Sequence, residues 1–291
     1  MEHAELAERI FPGRVRQVEP LGGGITNHNF RVDLGDEIVV LRVAGKDTNL
    51  LGIDRFVERD ASIAAAELGV GPEVVGFVEP EGYLLTRFIE GRPISVEEMR
   101  RPQVVGRVAE TLRRVHEGPP IPGRFDSFRV VETYAETAAA RGVDLPEAYR
   151  WAKGVADQIK AARRGETPVP CHNDLLNANF LDDGEAVRIV DWEYAGMGDR
   201  FFDLANFSIN HEFDEGANDA LLREYFGAVE SENARALRVM RFMSDFREAM
   251  WGVVQQGISE LDVDFVAYAD EHFERLRRTA ADPAFDAALR G

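Results

Sequence analysis

Residues Cys171 to Glu193 constrain this chain more than any other stretch. Here His172-x-Asp174 is followed by Asn179, and Asp191 comes twelve residues later. The link, Phe180-Leu181, Asp182-Asp183-Gly184 and Val187 to Val190, has apolar flanks around a tight Asp-Gly turn and reads as a β-hairpin. A hairpin folds back on itself and would bring Asn179 and Asp191 together at its open end. An amide oxygen and one or two carboxylate oxygens meeting there suit a hard cation such as Mg²⁺, which takes oxygen ligands and keeps waters for phosphates. Asp174, on the preceding loop, is then free to hold or accept the proton of an attacking hydroxyl. Cys171-His172 beside Asp174 offers only half a zinc site, with no second cysteine and no histidine pair at ligand spacing.

The pattern His-x-Asp-x4-Asn followed by Asp-x-Glu resembles the catalytic loop and metal motif of the aminoglycoside phosphotransferase and choline kinase families. The fuller string, Val190-Asp191-Trp192-Glu193-Tyr194 through Phe202-Asp203-Leu204-Ala205-Asn206, is most similar to the choline/ethanolamine kinase branch. The resemblance implies an α+β, protein-kinase-like fold of two lobes: a small β-rich nucleotide-binding lobe, residues 1–90, and a larger, mainly helical lobe, residues 91–291. It also implies ATP and Mg²⁺ as cofactors, and transfer of the γ-phosphoryl group to the hydroxyl of an amino alcohol, choline or ethanolamine foremost. Thiamine or an aminoglycoside as acceptor, or a catalytically silent nucleotide-binding protein, are the alternatives. A protein kinase fits less well, because no Ala-Pro-Glu segment follows Asp191.

Composition sets outer bounds. The chain has 291 residues, 45% hydrophobic and 30% charged, with a net charge of −18 and one cysteine. That is enough for two packed lobes. The acidic balance argues against nucleic acid or an anionic membrane as partner, since both demand basic patches. No apolar run approaches the length of a membrane span. The amphipathic, charged start does not read as a signal peptide, and a cytoplasmic location is expected. A homodimer is compatible with the sequence.

In chain order, a strand over Val15–Pro20, the loop Leu21 to Asn29 and a strand over Phe30–Leu34 lay out a flap that can lie over phosphates. Gly23 and Gly24 let backbone N–H groups approach a ligand, and Thr26 and Asn27 add side-chain donors. The loop resembles its counterpart in choline kinases. On the next strand, Ile38 to Val43, alternation puts Ile38, Val40 and Arg42 on one face. The resemblance makes Arg42 the phosphate clamp, with Lys46 as runner-up, and pairs it with Glu58 on a helix over Phe56–Leu68. Two further strands, Val74–Val78 and Tyr83–Phe88, complete a five-stranded small lobe. Thr86 and Phe88 fall in a hinge, residues 86–90, that would meet the adenine edge.

Beyond the hinge, helices are expected over 103–116, 129–141 and 146–163, a loop over 196–199, and a helical C-terminal region with a stripe of Phe242, Phe246, Met250 and Val253. The resemblance assigns Asp203 to bracing the catalytic loop through backbone N–H groups. His172 shapes that loop, and Glu193 is a further metal ligand or a group behind the ligands. It also makes Trp251 and Tyr268 a cage for the acceptor's ammonium, through cation–π attraction. The chain departs from that family at two positions. Asn210 stands where an acidic residue is usual, and Glu248 stands where a second cage tryptophan is expected, one turn before Trp251; as an acceptor-binding residue, a glutamate there favours a primary or secondary ammonium as well as choline.

Overall fold

The computed structural model describes residues 2–22 and 27–290. Gly23, Gly24 and Thr26 of the expected phosphate flap lie outside the described residues.

The N-lobe is an antiparallel sheet of β1 (Gln17–Leu21), β2 (Asn27–Asp33), β3 (Ile38–Ala44), β4 (Val74–Val78) and β5 (Tyr83–Arg87), in the order β1-β2-β3-β5-β4. Helix α1 (Glu2–Ile10) packs on one face. Strand alternation sorts β3 cleanly. Val39 and Leu41 join Ala7, Phe30, Val32 and Leu85 in the core under α1, while Val40 and Arg42 turn to the opposite face and line the cleft. Helix α2 (Arg55–Glu67) starts where the Asp54 side chain accepts from the Phe56 and Val57 amides, which supplies its N-cap. Its small buried residues, Ala61 and Ala65, belong to the core of the other lobe, so α2 ties the two together.

The C-lobe is helical: α3 (Val96–Met99), α4 (Pro102–His116), α5 (Ser127–Ala140), α6 (Ala148–Ala162), α7 (Arg200–Asn210), α8 (Glu215–Phe226), α9 (Ser231–Ile258), α10 (Phe265–Ala281) and α11 (Pro283–Arg290). The 28-residue α9 is its axis, packed by α5, α7 and α10. From Ala236 to Gln255 it is buried on every turn, with Leu237, Met240, Phe242, Phe246, Met250 and Val253 in the core.

Two small sheets frame the site. Strand β6 (Arg92–Pro93) pairs with β8 (Phe180–Asp182), which forms the expected hairpin with β9 (Val187–Ile189). Strand β7 (Val169–Cys171) pairs with β10 (Gly196–Gly198). The expected loop over 196–199 is therefore mostly strand. The glycines allow it: a Cβ on Gly196 would lie 2.9 Å from the Arg124 backbone, and Met197 exchanges hydrogen bonds with Gly123 and Phe125.

Candidate active site

The β8–β9 hairpin does bring its ends together: the Val190 amide donates to the Asn179 carbonyl at 3.0 Å. Asn179 and Asp191 both line a cleft of about 420 Å³ between the lobes, together with Val40, Arg42, Glu58, Thr86 and Phe88. The Asn179 amide nitrogen donates to the Asp174 carbonyl at 2.8 Å, which orients the side chain and leaves its oxygen for another partner. The hinge is partly committed already. The Arg87 and Phe88 amides donate to the Glu73 and Ile38 carbonyls.

Above the cleft, Arg42 contacts three carboxylates: Glu58 through Nε at 2.8 Å, and through one terminal nitrogen Asp191 at 2.5 Å and Glu193 at 3.1 Å. Burial raises the Glu58 carboxyl above its ordinary pKa, against the pull of the Arg42 and Arg55 guanidiniums. Lys46 is not part of this group; its ammonium pairs at the surface with Glu260. Arg55, which sequence reading missed, binds Glu58 at 2.6 Å, Glu193 at 3.2 Å, Asn27 at 3.0 Å and Thr48 at 2.8 Å. Its only advance signal was the i,i+3 spacing to Glu58. Asn27 donates to Glu193 at 2.8 Å. Glu193 thus sits among two arginines and an amide.

The loop carrying Asp174 is held from beneath. Asp203 accepts from the His172 amide at 2.8 Å, the Asn173 amide at 2.6 Å and His116 Nε2 at 3.0 Å. Asn206 accepts from the Leu175 amide at 2.5 Å and donates to Ser244. Asn173 has a left-handed backbone, φ 68°, and its side chain donates to the Tyr194 and Cys171 carbonyls. Asparagine tolerates that conformation better than most residues. His172 is wholly buried, which lowers its pKa. The Asp174 amide donates to its Nδ1 at 3.2 Å, so Nε2 carries the proton and donates to the Val190 carbonyl at 3.0 Å. Both ring nitrogens are spent on backbone groups, one in the loop and one at the hairpin end.

Asp174 itself is 7% exposed. Burial pushes its pKa up to about 7, against the pull of Arg247. Arg247, also missed by sequence reading, is 2% exposed. It donates to Asp174 Oδ1 at 3.1 Å and to the Asn173 carbonyl at 3.0 Å, pairs with Glu248, and lies over the Tyr194 ring at 4.6 Å. Tyr268 donates to the other oxygen of Glu248 at 3.0 Å. Trp251 is 7% exposed, with its ring set edge-on to Phe265 and Tyr268. The three residues expected to meet the acceptor are together, but Glu248 and the Tyr268 hydroxyl are engaged with each other and, through Glu248, with Arg247.

A family model described as the phosphotransferase enzyme family matches residues 17–242. The chain belongs to that family. Choline/ethanolamine kinase of Homo sapiens is 25% identical to this phosphotransferase, over 91% of this chain and 80% of its own. A solved structure of a choline/ethanolamine kinase family protein from Mesorhizobium loti is 32% identical, covers 100% of this chain and 98% of its own, and superposes with a TM-score of 0.86. LicA, solved in complex with AMP, is 20% identical with a TM-score of 0.77, over 96% and 97% of the two chains, and shares the fold. The motif resemblance and the two-lobed fold expected from it hold. Among the described residues no helix is long and apolar enough to cross a membrane.

Proposed function

We propose that this phosphotransferase moves the γ-phosphoryl group of ATP to the hydroxyl of a small molecule, with amino alcohols as the acceptor class. The observation that carries the reading is the Asp174 loop. Its backbone is pinned by Asp203, His172 and Asn206, and it is joined through Asn179 to the hairpin end bearing Asp191. Rigid placement of this kind is what phosphoryl transfer asks of a protein, since catalysis there is mostly positioning and charge neutralisation.

ATP lies in the cleft between residues 1–90 and 91–291, its base toward Thr86 and Phe88. Arg42, set by Glu58, neutralises the phosphates, with Gly23, Gly24 and Thr26 as their proposed further contacts, whereas the Asn27 side chain, expected to be another, is engaged with Glu193 and Arg55. The donor set of Asn179 and Asp191 fits Mg²⁺, and Glu193 stands behind it; the ion, when bound, screens phosphate charge. The acceptor oxygen attacks Pγ in line, the O–Pγ bond forms as the bridging bond to the β-phosphate breaks, ADP leaves, and the hydroxyl proton passes to Asp174. Support comes from the choline/ethanolamine kinase relatives and from LicA's capture with AMP. ADP release with Mg²⁺-ATP over choline, ethanolamine, thiamine and an aminoglycoside tests it. The wild type should turn over at least one acceptor, and Asp174→Asn should lose activity by about 100-fold or more while staying folded. Equal turnover by a folded Asp174→Asn variant would sink the assignment.

A further inference from the structure

Two carboxylates and an aromatic face lie where an acceptor's ammonium would be recognised, and the chain's own guanidinium already engages them. Arg247 binds Asp174 at 3.1 Å, pairs with Glu248, and covers the face of Tyr194 at 4.6 Å. The Glu248 oxygen left over takes the Tyr268 hydroxyl. Trp251 is packed edge-on between Phe265 at 5.8 Å and Tyr268 at 5.5 Å, so its ring belongs to the α9–α10 contact. Asn210 adds no charge, and its amide donates to the Leu175 carbonyl.

A quaternary ammonium has no N–H to donate. Its recognition rests on ring faces and unpaired negative charge. To bind here it would have to evict a buried guanidinium and strand its partners, which is strongly unfavourable. An acceptor bearing N–H or O–H donors needs no ring face, because carbonyl and carboxylate oxygens serve it. Resting on the phosphotransfer reading above, we infer that Arg247 is a specificity-determining residue. It holds the cation position beside Asp174 from within the chain, and it excludes quaternary ammonium alcohols in favour of acceptors recognised through N–H or O–H groups.

The test uses the full chain in two arms. In the first, ADP release is measured along ethanolamine, its N-methyl and N,N-dimethyl derivatives, and choline. The expected result is a drop in kcat/KM of about tenfold or more at the last methylation, where the final N–H is lost. Replacing both members of the ion pair together, Arg247→Phe with Glu248→Trp, should narrow that drop by about tenfold. In the second arm, tetramethylammonium is titrated into the wild type by calorimetry with Mg²⁺-ADP present, and no saturable binding is expected below about 10 mM. Choline turned over as well as dimethylethanolamine, or saturable tetramethylammonium binding below about 10 mM, overturns the inference. If the double variant does not fold, the wild-type series decides. If no acceptor gives Asp174-dependent ADP release, the phosphotransfer reading fails, and the tetramethylammonium titration alone decides the role of Arg247.

Discussion

Replacing Asp203 separates the placement of the catalytic loop from the binding of nucleotide. This side chain is fully buried and takes three donors: the His172 and Asn173 amides and His116 Nε2. In Asp203→Asn one carbonyl oxygen remains for one amide, while the NH₂ group confronts the other donor. A buried donor left unsatisfied costs about 1–3 kcal/mol, so Asp203→Asn should lose roughly that much stability. Asp203→Ala strands both amides and His116 Nε2 and should lose more stability than Asp203→Asn. The orphaned Asn173 amide immediately precedes Asp174, so the Asp174 carboxyl shifts with it. A misplacement of about 1 Å can cost about 100-fold in rate. The partners of Asp203 lie in the catalytic loop and on α4, apart from the cleft residues Val40, Thr86 and Phe88, so the KM for ATP should stay within about twofold while kcat falls. Urea denaturation and steady-state ADP release measure the two effects. An Asp203→Asn protein within about 0.5 kcal/mol of wild-type stability and with unchanged kcat would refute the reasoning.

Two further outcomes are expected. The Asp174 carboxyl is raised from 3.8 to about 7, chiefly by burial. Between those values the folded state holds a proton that the unfolded state has lost, so this group's contribution to stability is full below about pH 4 and lost as pH rises through about 7. Asp174→Asn should remove that pH dependence, and its stability relative to wild type should therefore improve from pH 4 to pH 8. Denaturation curves across that range check it, and a difference that does not change with pH contradicts it. At the α9–α10 contact, a Cβ on Gly252 would lie 2.8 Å from the Tyr268 ring and 3.2 Å from the Ala269 amide nitrogen. Gly252→Ala should cost about 1–3 kcal/mol by overpacking despite its better helix propensity, as read by thermal or urea unfolding. A stabilised variant would show that the contact yields.

Much of the site was legible because its parts are local. The spacing from His172 to Glu193 is spanned by one loop and one hairpin, and a hairpin's closure follows from its turn and its alternation. Arg42 and Glu58 were paired in advance by the resemblance, and strand alternation put Arg42 on the face with Ile38 and Val40. Arg247 was hidden for the opposite reason. It sits on α9 next to an apolar stripe, more than seventy residues from Asp174, and nothing local to a helix says which loop will cover it. Arg55 likewise fell just outside the helix read over Phe56–Leu68. Gly196 and Gly198 looked like loop residues because their use, a close approach to the Arg124–Phe125 backbone, depends on a distant segment.

The family was legible in the motif resemblance, and the Asp174 loop and the hairpin from Asn179 to Asp191 were legible in short-range spacing and turn chemistry. The electrostatics around Glu248 and Tyr268 were fixed by tertiary packing alone. Whether Glu248, Tyr268 and Tyr194 face a ligand or a guanidinium depends on how α9, α10 and the catalytic loop pack, and burial makes that choice binding. A charge taken out of water must find its partners within reach, and in this fold Arg247 is the cation that those partners reach.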